Sequence, residues 1–280
     1  MSTAAADIFR QAAAANKADP RRDGNVVNLP AGPAIICGDM HGYRAALNKV
    51  IGRASAAGQP RQLVLQEIIH GPPDERTGQD RSVELLLRAA RLKISHSEQV
   101  AFLMGNHDLA QATGNEITKD GRGVCKVFTA GVEAAYGQDA ADVMDAIREF
   151  LLSMPLAVRC PNGVFISHSL PSPARMGAAG VDILKRPYEE RDLRRGGAVY
   201  EWTWGRGQTA EQLEQLAATL GVEYFILGHR HVEAGCEVIS PRGVTISTEH
   251  EHGYVIELDA GLPFGADDLA SGLKPIMVLA

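Results

Sequence analysis

Short apolar runs alternate along the chain with longer stretches of helical spacing. Ala34–Cys37 is an apolar run that stops at Gly38-Asp39, and it reads as a buried strand. Tyr43–Ala57 follows with helical spacing through Leu47, Val50 and Ile51, and Leu63–Leu65 begins another strand. Ser82–Leu92 reads as a helix with Ser82 as N-cap. Val100–Met104 reads as a strand ending at Gly105. Ala140–Ser153 is helical and stops before Pro155. Gly163–Ile166 is a strand that reaches His168. Ala210–Leu220 is a helix with Gly221 just beyond its end, where helix C-termini favour glycine. Tyr224–Leu227 is a strand ending at Gly228-His229. Val244–Ser247 and Tyr254–Leu258 read as late antiparallel strands, and the tail from Gly261 carries no clear pattern. Such alternation followed by extra strands predicts the α/β class.

No repeat, low-complexity tract or linker divides the chain, so residues 1–280 read as a single domain. Residues 1–30 read as an N-terminal extension: a short amphipathic helix, then a turn at Pro20–Gly24. Asp7, Arg10 and Gln11 interrupt any apolar core a secretory signal would need. No run reaches the roughly 18 apolar residues of a membrane span. A hydrophobic fraction of 45% over 280 residues can build a sizeable core without disulfides. Cys37, Cys125, Cys160 and Cys236 have no close pairing and read as reduced thiols. A cytoplasmic location is the expectation. The net charge of −6 argues against stable nucleic-acid binding, which wants a basic face. A small phosphorylated substrate stays compatible, because local cations or metal ions can reverse the sign within a cleft.

The chemistry gathers at the strand ends. Strand after strand stops at Gly or Ser and then a metal-ligand residue type: Gly38-Asp39-Met40-His41-Gly42, Gly105-Asn106-His107-Asp108, Ser167-His168 and Gly228-His229-Arg230-His231. Ligands of open α/β sheets collect beyond the carboxyl ends of strands. His41, His107, His168, His229 and His231 are thereby expected in one place. Each motif is weak alone; their order and strand context make a bound metal pair the better reading.

These blocks resemble those of the calcineurin-like metallophosphoesterases, whose pattern runs G-D-x-H-G, G-D-x-x-D-R-G, G-N-H-[ED], a lone His, and G-H-x-H. The likeness spans Ile35 to His231, with four of the five blocks present in order. Met154-Pro155-Leu156 before Val164–His168, and Trp204-Gly205-Arg206 before the last block, are similar to the bacterial and phage branch of the phosphoprotein phosphatases. The resemblance implies a four-layer α/β/β/α sandwich with two facing mixed sheets. It implies two divalent transition-metal ions (Mn, Fe or Zn). Asp39, His41 and His231 would hold the first, and Asn106, His168 and His229 the second, with a carboxylate bridging both. His107 would act beside the leaving oxygen, and Arg206 would lie near the phosphate.

The second block departs from the family. After Leu63-Val64-Leu65 the family has Gly-Asp, and this chain has Gln66-Glu67. Without a gap, the family's Asp-Arg-Gly falls on His70-Gly71. With residues 68–79 as an inserted loop, Asp80-Arg81 takes that place, which closure entropy permits. The plainer reading of Asp80 and Arg81 is a solvated helix start. For the bridge, Glu67 is preferred over Asp74 or Asp80, because strand ends position ligands better than loops. His96 reads as exposed, His250 and His252 as a surface turn, and Trp202 and Trp204 as packing.

The function expected from the resemblance is hydrolysis of a phosphate monoester by a metal-bridging hydroxide. The substrate is a phosphorylated small molecule or a phosphoprotein, and His107, Arg206, Arg81 and Asp80 are the candidate catalytic residues. A dinucleoside polyphosphate hydrolase, or a scaffold that kept only the fold, are the alternatives.

Overall fold

The computed structural model describes residues 4–56, 60–119 and 121–279. Helix α1 (Ala4–Lys17) leads to strands β1 (Arg22–Asp23) and β2 (Val26–Asn28). A βαβαβ run follows: β3 (Pro33–Asp39), α2 (Arg44–Ser55), β4 (Gln62–Gln66), α3 (Ser82–Ser95) and β5 (Val100–Leu103). Next come α4 (Asn106–Thr113), a hairpin of β6 (Thr118–Lys119) and β7 (Arg122–Gly123), α5 (Val124–Tyr136) and α6 (Ala140–Leu152). The second sheet then grows from β8 (Ala157–Arg159) and β9 (Val164–Ser167). After α7 (Pro173–Ala179), α8 (Glu190–Leu193), α9 (Ala198–Trp204) and α10 (Ala210–Leu220), it gains β10 (Tyr224–Leu227), β11 (Cys236–Ile239) and β12 (Gly243–Ile246). The chain returns to the first sheet with β13 (Tyr254–Asp259), α11 (Asp268–Ser271) and β14 (Leu273–Pro275).

The two large sheets are mixed, ordered β14-β13-β3-β4-β5 and β1-β2-β8-β9-β10-β12-β11. Alternation along each strand assigns one face to the space between them. Ile36, Val64, Ala101 and Leu103 of one sheet pack in one cluster with Val158, Ile166, Ile226 and Ile246 of the other. The opposite faces, such as Ile35, Leu65 and Phe102, or Phe165 and Phe225, pack with helical residues including Leu47, Leu86, Phe150 and Leu213. The sheets therefore face one another with helices outside, as expected.

Most predicted elements are present with shifted ends; residue 57 of the second one lies outside the described residues. The late strands make the expected antiparallel pairings, β12 with β11 and β13 with β3 and β14, but they lie in different sheets and β12 runs parallel to β10 as well. An alternating pattern says which face is buried and not which way a neighbour runs. Ser82 does not cap α3; it opens the helix, and Asp80 Oδ1 accepts its backbone N–H at 2.7 Å. The tail beyond Gly261 supplies α11 and β14.

The N-terminal helix is bound into the body, with Phe9 against Phe150 at 6.0 Å. The following turn carries Asp19, whose Oδ2 accepts from buried Lys93 Nζ at 2.7 Å and from Arg21 Nη2 at 2.6 Å. Lys93 also donates to the carbonyls of Ser97 and Val100, so this charge sits where three segments meet. Among the described residues, no helix is long and apolar enough to cross a membrane.

The two sheets converge at the carboxyl ends of their parallel strands. Asp39 bridges to Ser247, and a Cβ on Gly38 would lie 2.1 Å from the Ile246 carbonyl oxygen. Only glycine lets the two backbones meet there, and the loops beyond this seam carry the polar blocks.

Candidate metal centre

Asp39 ends β3 with its carboxylate turned inward. Its Oδ2 accepts the backbone N–H of His229 at 2.9 Å, and its Oδ1 lies 3.2 Å from His168 Nδ1. Glu67 follows β4, and its carbonyl accepts from the backbones of Met40 and His41. Its side chain reaches between the loops. Oε1 accepts the His107 backbone N–H at 2.7 Å and lies 3.3 Å from His168 Nε2, while Oε2 lies 3.3 Å from His41 Nε2. Asn106 and His107 open helix α4, so Glu67 also sits at the positive end of that helix. Asn106 Oδ1 is 3.0 Å from His168 Nε2 and 2.7 Å from His229 Nδ1.

Backbone conformation is unusual at this one place. Among the described residues, the non-glycine residues with positive φ are His41, Glu67, His70 and His229. Such conformations cost about 1–3 kcal/mol each and persist where the surroundings over-determine them.

Two of the rings have fixed tautomers. His41 Nδ1 faces the Ile69 carbonyl at 3.0 Å. A carbonyl only accepts, so Nδ1 carries the proton and Nε2 the lone pair. For His168, Gln66 Nε2 donates to the Cys37 carbonyl at 2.8 Å, which turns Gln66 Oε1 to His168 Nδ1 at 2.9 Å. His168 Nε2 is the nitrogen left to face the cluster, and it points at Asn106 and Glu67. Orientation of this kind by a partner on the far ring nitrogen is typical of metal-binding histidines.

The electrostatics favour a cation. Burial pushes the Glu67 carboxyl well above its ordinary range, and the nearby charges of Asp39 and Asp108 add to this. Burial raises Asp108 to about 7. Burial also acts to raise Asp39, but the rings of His168, His41 and His229 outweigh it and hold the carboxylate low. Burial lowers His41, and lowers His229 to about 2, leaving neutral imidazoles. The ion-pair partners of Asp39 and Glu67 among the described residues are histidines alone.

Among the described residues, two groups of side chains stand close enough to hold an ion: Asp39, Glu67 and His168; and His41, Glu67 and His107. Ligand atoms about 2.1 Å from one ion lie roughly 3–3.4 Å from one another, and the separations around His168 Nε2 fall in that range. The imidazole, carboxylate and amide set suits Mn, Fe or Zn. These residues fit a divalent metal centre.

The sequence profile of the calcineurin-like phosphoesterases matches residues 32–233. The chain belongs to the calcineurin-like phosphoesterase family. It is accordingly a metal-dependent phosphoric ester hydrolase. No curated protein sequence matched this phosphoesterase. Solved structures did. A protein serine/threonine phosphatase from Saccharomyces cerevisiae with similarity to human phosphatase PP5 superposes with a TM-score of 0.70 at 15% identity, over 98% of this chain and 92% of that one. The cold-active protein-tyrosine phosphatase of a psychrophilic Shewanella sp. superposes at 0.59 and 14% identity, over 91% and 83%. At these identities the likeness is one of fold.

The phosphoesterase brings Asp39, His41, Glu67, Asn106, His168 and His229 into one cluster, with His107 beside it. His231 lies outside. Two residues past the left-handed turn at His229 the chain has reached the rim, where exposed His231 Nδ1 meets Glu249 Oε1 at 2.8 Å. Arg81 is also exposed, its Nε donating to Glu84 at 2.9 Å. Asp80 is buried but spends Oδ1 on the start of α3. The segment between His70 and Asp80 leaves and returns, with a turn at Asp74–Gly78 exposed and both ends buried. Arg206 is exposed and its charge reaches His229. Trp202 is buried packing, whereas the Trp204 ring lies 6.3 Å from that of His229.

Gln66, Lys119, Arg122 and Glu249 were missed from sequence. A cleft of about 790 Å³ opens beside His41 and is lined by Lys119, Arg122 and Glu249 among others. Lys119 and Arg122 sit on the β6–β7 hairpin, a paired cationic turn just after the G-N-H-D block. That position was the available signal.

Proposed function

We propose that this phosphoesterase hydrolyses a phosphate monoester, with phosphoproteins among its substrates, at a centre of two divalent transition-metal ions. Asp39, Asn106, His168 and His229 would hold one ion and His41 the other, with Glu67 shared between them. The observation that carries this reading is the division of the Glu67 carboxylate: one oxygen faces His168, the other His41. When bound, such a pair supplies Lewis-acid activation of water and neutralises phosphoryl charge.

The remaining work falls to the chain. Lys119 and Arg122 line the cleft and would draw an anionic substrate towards it. Arg206, whose charge reaches His229, would offset charge on the non-bridging oxygens. His107 has its Nδ1 turned to a neighbour, so Nε2 is the atom left to serve the substrate. A proton taken up at Nε2 would pass to the departing oxygen, leaving the ring neutral. The Trp204-Gly205-Arg206 element supports the phosphoprotein-phosphatase branch over the other phosphoesterases.

Metal analysis of the purified protein, with hydrolysis of an aryl phosphate in added Mn²⁺, tests the reading. Two ions per chain and Mn²⁺-dependent release of phosphate are expected. Protein that takes up no metal and leaves the ester intact would overturn it. A clear preference for a dinucleoside polyphosphate over phosphopeptides would reassign the substrate.

A further inference from the structure

The His70 ring is buried three residues beyond Glu67. Its backbone is left-handed, with φ of 63°. His70 Nδ1 lies 2.8 Å from His107 Nδ1, and its Nε2 lies 2.9 Å from Gln111 Oε1. Two imidazole nitrogens at that distance share one proton. The question is which ring owns it.

The surrounding chain answers. Thr129 Oγ1 donates to the Cys125 carbonyl at 2.9 Å, and a carbonyl cannot donate in return. The Thr129 oxygen is then the acceptor for Gln111 Nε2 at 3.3 Å. This turns Gln111 Oε1 towards His70, so His70 Nε2 carries a proton. Burial pushes His70 down to about 4, so the ring is neutral near pH 7 and has no second proton. Its Nδ1 is a bare acceptor, and the shared proton belongs to His107 Nδ1.

We propose that His70 is the positioning residue for His107, accepting its Nδ1–H and leaving its Nε2 as the free ring nitrogen, with the direction of the hydrogen bonds set by Gln111, Thr129 and the Cys125 carbonyl. A neutral orienter needs no compensating charge beside Phe128, whose ring lies 5.6 Å from that of His70. By analogy with the partners that orient metal-binding histidines, loss of this one should cost about 10–100-fold in activity.

The inference rests on the phosphoesterase reading of His107, and the test separates the two. Two-bond ¹H–¹⁵N spectra of the full-length protein labelled at histidine report each tautomer without any substrate. His107 protonated at Nδ1 and His70 protonated at Nε2 are expected. Gln111→Leu should release the lock and mix the two tautomers. In Mn²⁺-dependent aryl phosphate hydrolysis, His70→Leu should lower kcat about 10–100-fold, with KM and metal content unchanged. His70→Asn, which keeps an acceptor oxygen near the Nδ1 position, should restore most of that loss. A spectrum with His107 protonated at Nε2 would overturn the proposal, as would full kcat in His70→Leu or no rescue by asparagine. The expected tautomers in a protein that hydrolyses no phosphate ester would instead sink the phosphoesterase role of His107.

Discussion

A Cβ atom on Gly105 would lie 2.2 Å from the Glu67 carboxylate. The glycine that ends β5 therefore does more than turn the chain; it vacates the space the longer acid occupies. A Glu where the family has Asp is accommodated because the facing residue has no side chain.

Gly105→Ala should accordingly displace Glu67 and leave the fold in place. We expect metal affinity or activity to fall roughly 10–100-fold, the range for groups that orient a metal site. Calorimetric metal titration beside a thermal melt checks this: an unchanged metal isotherm would mean that Glu67 can be spared.

Glu67→Gln keeps the size and removes the charge. At least one metal position should then stay empty, as elemental analysis would report. Full occupancy with near-normal turnover would exclude Glu67 as the bridge, and Asp74 and Asp80 should be replaced in turn.

His107→Ala should lower kcat by about 10²–10⁴-fold, the usual contribution of a general acid, with metal stoichiometry intact. Loss of metal in that variant would make His107 a ligand, a role its proximity to His41 and Glu67 allows geometrically.

The fourth prediction concerns stability. Burial acts to raise the Asp19 carboxyl, but Arg21 and Lys93 outweigh it and hold it at about 2. A carboxyl held below its unfolded value stabilises the fold above that value and loses the effect as pH falls through the folded one. About 2 kcal/mol should therefore disappear between roughly pH 4 and pH 2. Asp19→Asn strands the Lys93 charge in the interior and should cost about 3 kcal/mol at pH 7. Urea melts of both proteins at pH 7 and pH 3 would show it. An equal loss on acidification in the variant would place the acid sensitivity elsewhere.

The fold class and most of the cluster were legible in the sequence for one physical reason. Glycine followed by a ligand type, at the end of an apolar run, marks a backbone that turns where strands converge. Asp39, His41, Asn106, His168 and His229 share that signal, and Glu67 carries it in altered form. His231 and Arg81 did not follow because spacing does not say which way a side chain emerges after a left-handed turn or at a helix start. The roles of Gln66, His70 and Gln111 were invisible for another reason. They depend on which atom of an amide or ring faces which carbonyl, a property of residues brought together from distant segments. The direction of β12 was hidden similarly, since its partners β10 and β11 are chosen by the packing of the whole sheet.

The four left-handed residues at the cluster set a limit on how this protein can be improved. Replacing His41, Glu67, His70 or His229 by glycine would relieve backbone strain while deleting a working side chain. Selection for heat resistance alone would thus reward inactive variants at these positions. Libraries aimed at a hardier catalyst should hold all four fixed and draw their gains from the helical outer layers, where stability and turnover are not in competition.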